Sequence, residues 1–158
     1  DVIDALLSSG RTSRLYQSLI LKNKLATSVA AVNGLPGARY PNLFFIQAVP
    51  RPPHTCKEVA AAISEEIERL KREPVSQHEL QKIKNQLQAD FIRGLKSNEG
   101  LASQLSYFQS ICNNWRYIEQ QADVINKITP RDIQRSAQQY LDERNRTVAE
   151  LVKKTSDK

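Results

Sequence analysis

Apolar positions along the chain switch between helical and strand-like spacing, and the switches mark the elements. Val2 to Leu7 is a short apolar segment that runs into the turn cluster Ser8-Ser9-Gly10. Thr12 or Ser13 then caps a second helix reaching about Lys22, with Leu15, Leu19 and Tyr16 turned inward. From Leu25 the spacing becomes strand-like. Thr27 to Asn33 is rich in small and β-branched residues, and Gly34-Leu35-Pro36-Gly37 breaks it. Leu43 to Val49 is the clearest strand in the chain, stopped by Pro50, Pro52 and Pro53. The two runs predict an antiparallel hairpin with a loose loop.

From Thr55 to Leu141 the pattern is helical. Thr55 and Glu58 fit a capping box, in which side chain and backbone satisfy each other's free groups in the first turn. Val59, Ile63, Ile67 and Leu70 form the apolar stripe, with Glu65/Arg69 and Glu68/Arg72 as solvent-side pairs. Pro74 ends this helix. Ser76 and Glu79 fit a second capping box, followed by Leu80, Ile83, Leu87, Phe91 and Leu95. A break at Ser97–Gly100 separates this helix from one holding Leu101, Leu105, Phe108 and Ile111. Trp115, Ile118, Ala122 and Ile125 predict a further helix. Thr129 before Pro130 starts the last, with Ile133, Ala137 and Tyr140 on its stripe. Thr147 to Val152 alternates well enough for a closing strand beside the hairpin. The expected class is α+β: a largely antiparallel sheet covered on one face by helices.

Composition narrows the picture. The 158 residues predict a single domain spanning 1–158, large enough to fold without a metal or disulfide staple. An acidic start, Asp1-Val2-Ile3-Asp4, and the lack of any Met favour a fragment of a longer chain and show no targeting segment. No apolar run is long enough to span a membrane. The net charge of +6 is scattered, with only short groups such as Lys22-Asn23-Lys24 and Lys153-Lys154, so no nucleic-acid partner is expected. Cys56 and Cys112 are too few for a disulfide framework or a cysteine-based zinc site. His54 and His78 have no second ligand at helical spacing, so no metal is expected here. No base stands near Cys112 in sequence, and no G-x-S-x-G is present.

Three stretches carry a resemblance. Leu6-Leu7-Ser8-Ser9-Gly10-Arg11-Thr12-Ser13-Arg14-Leu15-Tyr16-Gln17-Ser18-Leu19 is followed by Val75-Ser76-Gln77-His78-Glu79-Leu80 through Lys84, and then by Ile128-Thr129-Pro130-Arg131-Asp132-Ile133. Their order and spacing resemble the pitrilysin/insulinase family of zinc peptidases, which includes the mitochondrial processing peptidases. The resemblance implies the LuxS/processing-peptidase-like metallohydrolase fold, truncated at its N-terminal edge. It matches the family's second, non-metal domain, since the inverted H-x-x-E-H occurs nowhere in this sequence. In active members that domain can supply an Arg and, seven residues later, a Tyr; the resemblance puts these on Ile20 and Thr27, and both groups are lost.

The implied role is a non-catalytic C-terminal domain that walls a peptide chamber and packs against a zinc-bearing domain or subunit. Zinc would belong to the parent assembly, with no cofactor and no catalytic residue in this chain. Peptide is the implied substrate of the whole. Arg11, Arg14 and Arg39 are candidates to contact substrate or partner, against the plainer reading of solvated surface charge. A missing first strand would leave an open sheet edge, filled by a strand from another copy or blunted by Lys and Pro. The alternative role is a non-enzymatic assembly or core-subunit domain of the same fold.

Overall fold

The computed structural model describes residues 1–152; Lys153 and Lys154 lie outside them. Helix α1 (Val2–Ser8) leads through a turn into a π-helical segment, Tyr16–Lys22. Strands β1 (Ala26–Leu35) and β2 (Leu43–Pro50) form a two-stranded antiparallel sheet. Five helices follow: α2 (Cys56–Arg72), α3 (Gln77–Gly94), α4 (Asn98–Cys112), α5 (Tyr117–Lys127) and α6 (Pro130–Tyr140). The α+β class expected from the pattern is the one observed.

The local signals that set these helices are capping bonds. Thr55 Oγ1 accepts from the Glu58 N–H, and the Glu58 carboxylate accepts from the Thr55 N–H at 2.7 Å. Thr129 and Asp132 repeat this at the start of α6, with Pro130 in the first turn. Ser97 caps α4 by accepting from the Gly100 N–H at 3.0 Å. Gly100 is required there, because a Cβ would collide with the Gly94 carbonyl oxygen that closes α3.

The core gathers where α1, the π-helical segment, α2, α3 and α6 meet one face of the hairpin. Leu6, Leu7, Leu15, Leu19, Leu70, Leu80 and Ile83 are fully buried in it, each such side chain contributing about 1.5–3 kcal/mol of burial. Ala26, Val29, Ala31, Phe44, Ile46 and Ala48 are sheet residues that reach this core. Among the described residues no helix lies on the opposite sheet face, and Val32, Phe45 and Val49 are exposed.

Several expectations are corrected. Residues 147–152 form no strand; Val148, Leu151 and Val152 are exposed, Leu151 at 97%. The outer edge of β1 is closed by α1 side chains, and the segment does not run along the free edge of β2 either. Ser8 Oγ accepts from the Ala31 N–H at 2.8 Å and donates to its carbonyl at 3.3 Å, while Asp4 accepts from the Asn33 N–H at 3.2 Å. The segment instead leaves beside α2, where Arg146 donates to Ser64 Oγ at 2.6 Å. Strand β1 runs through Gly34, which takes φ +92° at a register irregularity between Asn33 and Leu35, so this glycine bends the strand without ending it. Leu101 and Tyr140 face solvent. On α2, Arg69 pairs with Glu66 and Glu73, and Lys71 with Glu68, in place of the two pairs read from the sequence.

The second helix winds as a π-helix, with the Asn23 N–H donating to the Ser18 carbonyl five residues back. It closes at Lys24, a non-glycine residue held at φ +53°. A Cβ in that region costs about 1–2 kcal/mol, so Lys24→Gly is expected to stabilise the fold. After the entropy that glycine adds to the unfolded chain, the net gain is about 0.5–1 kcal/mol, or a rise in Tm of about 1–4 °C. Differential scanning calorimetry checks this; an unchanged or lower Tm contradicts it.

Candidate functional site

Two of the motif segments, the turn after α1 and the first half of α3, meet in a polar cluster, and of the candidate residues picked out in the sequence only Arg14 lies in it. Glu79, Lys82 and Gln86 recur at helical spacing along one side of α3. Each reaches a residue of the turn. Arg14 donates Nε and Nη2 to the two carboxylate oxygens of Glu79 at 2.9 and 2.8 Å. Lys82 donates to Thr12 Oγ1 at 2.9 Å, and Gln86 to Ser9 Oγ at 2.8 Å. The other side of α3 works in the same way on α5. Buried Lys84 donates to the Asn126 carbonyl at 2.7 Å, where it completes the carboxyl end of that helix, and Gln88 donates to the Asn126 side chain.

Glu79 decides what this cluster is. Its N–H donates to Ser76 Oγ at 3.1 Å, as the expected capping box requires. Its carboxylate, however, does not return to Ser76; it turns to Arg14, so half of the box is given up for a long-range ion pair. The Arg14 hydrogen bond holds the Glu79 carboxyl below its ordinary range, against the opposing effect of burial. The same bond raises Arg14 above its ordinary value. The Arg14 side chain is only 11% exposed, so its guanidinium works inside the fold. Arg11 and Arg39 are exposed and make no ion pair among the described residues.

Ile20 and Thr27 are placed in different environments. Ile20 packs against the core from the π-helical segment. Thr27 is exposed on β1 and donates to the Val49 carbonyl at 3.3 Å. Neither side chain can supply the charged or phenolic donor of an active domain. The two histidines are also apart: His54 lies 3.4 Å from Glu58 at the start of α2, and His78 is exposed at the start of α3. Among the described residues no three His, Cys, Asp or Glu side chains group closely enough to hold a metal ion. The donor set therefore does not fit zinc. No helix of the described residues is long and apolar enough to cross a membrane.

The structure thus defines a helix-clad α+β domain whose polar clusters join its own elements. The chain belongs to the peptidase M16 inactive-domain family, whose model matches residues 1–87. No curated protein matches it. Among solved structures it is similar to a protease from Helicobacter pylori, at 26% identity and a TM-score of 0.82. That match covers 90% of this chain and 34% of the other, so the chain spans about a third of that protease. It is also similar to the inactive peptidase domain of a protein designated a zinc protease from Bordetella parapertussis, at 26% identity and TM-score 0.79, covering 93% and 78% of the two chains. A Bordetella pertussis protein with the same designation gives 26% identity and 0.78, covering 93% and 79%.

Glu79→Gln is expected to cost about 2 kcal/mol at neutral pH, because Arg14 stays buried against a neutral partner. The pH dependence has a fixed sign. The Glu79 carboxyl titrates lower in the folded chain than in the unfolded one. Its contribution is therefore complete above the unfolded value, about 4.3, and is lost as pH falls through the folded one. The capping carboxylates Glu58 and Asp132, and Asp142 at about 2, are also held low. They are common to both proteins and cancel in the difference. Urea unfolding at pH 7 and pH 3 should show the gap between wild type and variant shrinking in acid; a gap independent of pH contradicts the assignment.

Proposed function

We propose that this domain is the non-catalytic half of a zinc-dependent peptidase. In this reading it packs against a zinc-bearing domain or subunit and forms one wall of the chamber in which peptide is cleaved. The observation that supports it is the bare face of the hairpin, in a chain whose family is described as an inactive domain. Helices bury one side of the sheet, and the other presents Val32, Phe45 and Val49 without a cover. Alternating apolar side chains on an extended sheet suit an extended peptide or an opposing domain. Arg11 in the turn after α1 and Arg39 in the hairpin loop are free to meet carboxylates on either. Arg14 is committed to Glu79.

The open edge of the sheet has the same meaning. Strand β2 has one hydrogen-bonded neighbour, β1, among the described residues. It contains no charged residue, and its only Pro, Pro50, is its last position. The blunting that natural edges use is absent, so this edge takes a strand from an adjoining polypeptide, either the zinc-bearing partner or a second copy. Sedimentation over a wide concentration range separates the two, since only the second copy gives a dimer from this chain alone.

Two assays test the main reading. The chain alone should purify without stoichiometric zinc and should cleave no unfolded peptide. A photo-crosslinker at Phe45, placed in the complete peptidase, should capture substrate peptide or the zinc-bearing domain. Zinc bound tightly by this chain, or its own peptide cleavage, would refute the reading. Labelling of neither peptide nor zinc-bearing domain from Phe45 would remove the wall.

A further inference from the structure

Asn33 is the only asparagine in the sequence followed by glycine, and the fold sets that pair at the end of strand β1. The ladder places Asn33 opposite Phe44 and Leu35 opposite Leu43, so Gly34 is an extra residue with no partner on β2. Gly34 takes φ +92°, and a Cβ added to it would meet nothing within 4 Å. Asn33 is exposed. The Gly34 nitrogen therefore follows a side-chain amide with no Cβ to hinder its approach and with open space on that side. The same asparagine seals α1 onto the sheet. Its N–H donates to Asp4 Oδ2 at 3.2 Å, and its Nδ2 donates to Asp1 Oδ1 at 3.1 Å. Two residues back, Ser8 Oγ bonds both backbone groups of Ala31. These contacts close the outer edge of β1.

We infer that Asn33 is a site of spontaneous deamidation, and that its conversion releases α1 from the edge of β1. The backbone nitrogen of Gly34 attacks the side-chain carbonyl carbon of Asn33 and gives up its proton. A C–N bond forms, the bond from that carbon to Nδ2 breaks, and the nitrogen leaves with a proton gained as ammonia. The cyclic succinimide then takes up water at either carbonyl and opens to aspartate or isoaspartate. Only water is consumed, and nothing is oxidised or reduced. In either product the donor that met Asp1 Oδ1 is gone and a third carboxylate stands beside Asp1 and Asp4, where like charges repel. Isoaspartate also carries the backbone through the former side chain, which adds one carbon and shifts the last rungs of the ladder. The loss of ammonia makes the release one-way. The inference stands apart from the peptidase reading, because it involves only α1 and β1 of this chain.

The test ages the folded chain in mildly alkaline buffer and follows it by peptide mass spectrometry. Exchange of side-chain nitrogen for oxygen should accumulate at Asn33 faster than at any other asparagine. Hydrogen exchange then reads the seal. In Asn33→Asp the amides of Ala31 and of residue 33 should exchange about tenfold faster or more, the loss of one charge-assisted bond. Amides of α2 and α3 should keep their rates, because only the α1 contact opens. Asn33→Ser removes the side-chain amide without adding charge and should loosen the seal less. Should Asn33→Asp fold poorly, aged wild-type protein, separated by its added negative charge, carries the same exchange measurement. Modification at Asn33 no faster than at the other asparagines would overturn the inference. So would wild-type exchange rates at Ala31 and residue 33 in the aged protein or in Asn33→Asp.

Discussion

The domain depends on a single ion pair between residues 65 positions apart, Arg14 and Glu79. A guanidinium at 11% exposure would be costly without a partner, and the fork geometry of arginine supplies two parallel bonds to one carboxylate. Lysine carries the same charge but cannot make that pairing. The pair sits at the first turn of α3 and next to Leu15 and Leu19, both fully buried. It therefore fixes where the turn after α1 meets α3, and with it the register in which the core leucines interlock. Lys82 and Gln86 then extend the same seam along α3. A polar seam over a leucine core gives a specific docking angle that the apolar contacts alone leave free.

What the sequence disclosed and what it hid divide by range. The caps at Thr55 and Thr129 involve groups three residues apart, and local spacing exposes them. The hairpin strands were legible for the same reason, through alternation bounded by Pro and Gly. Glu79 shows the limit. Its position after Ser76 reads as a capping box, and nothing local reveals that the carboxylate has a stronger claim from Arg14. The π winding of Tyr16–Lys22 was equally hidden, since its apolar positions also fit an α-helix. The closing strand failed because alternation measures suitability for a sheet and does not say where the segment runs, which here is beside α2 and away from the open edge of β2. Ser8 and Asp4 had already taken that of β1.

The same comparison explains why the motif residues carry no chemistry here. Arg14, Glu79 and Lys84 are three of the charged residues in the segments that resemble zinc peptidases. Two are spent on each other and the third on the Asn126 carbonyl. Asp132 is spent on Thr129. These positions describe how the domain is assembled, so family membership and the lack of a metal site among the described residues are compatible. Ile20 packs against the core, and Thr27 bonds to the Val49 carbonyl.

The sheet shows where the remaining stabilisation is available. A hairpin of two strands is marginal by itself; here helices cover one face, and α1 side chains close the edge of β1. The edge of β2 and the face bearing Val32, Phe45 and Val49 lack any such cover. Each of those side chains still has burial energy to gain, about 25 cal/mol for every Å² removed from water. On the helical side Ile92, Leu101 and Tyr140 are also exposed, but no free backbone edge lies beside them. An approaching polypeptide therefore gains most on the sheet side, by adding backbone bonds along β2 and covering the face in the same step.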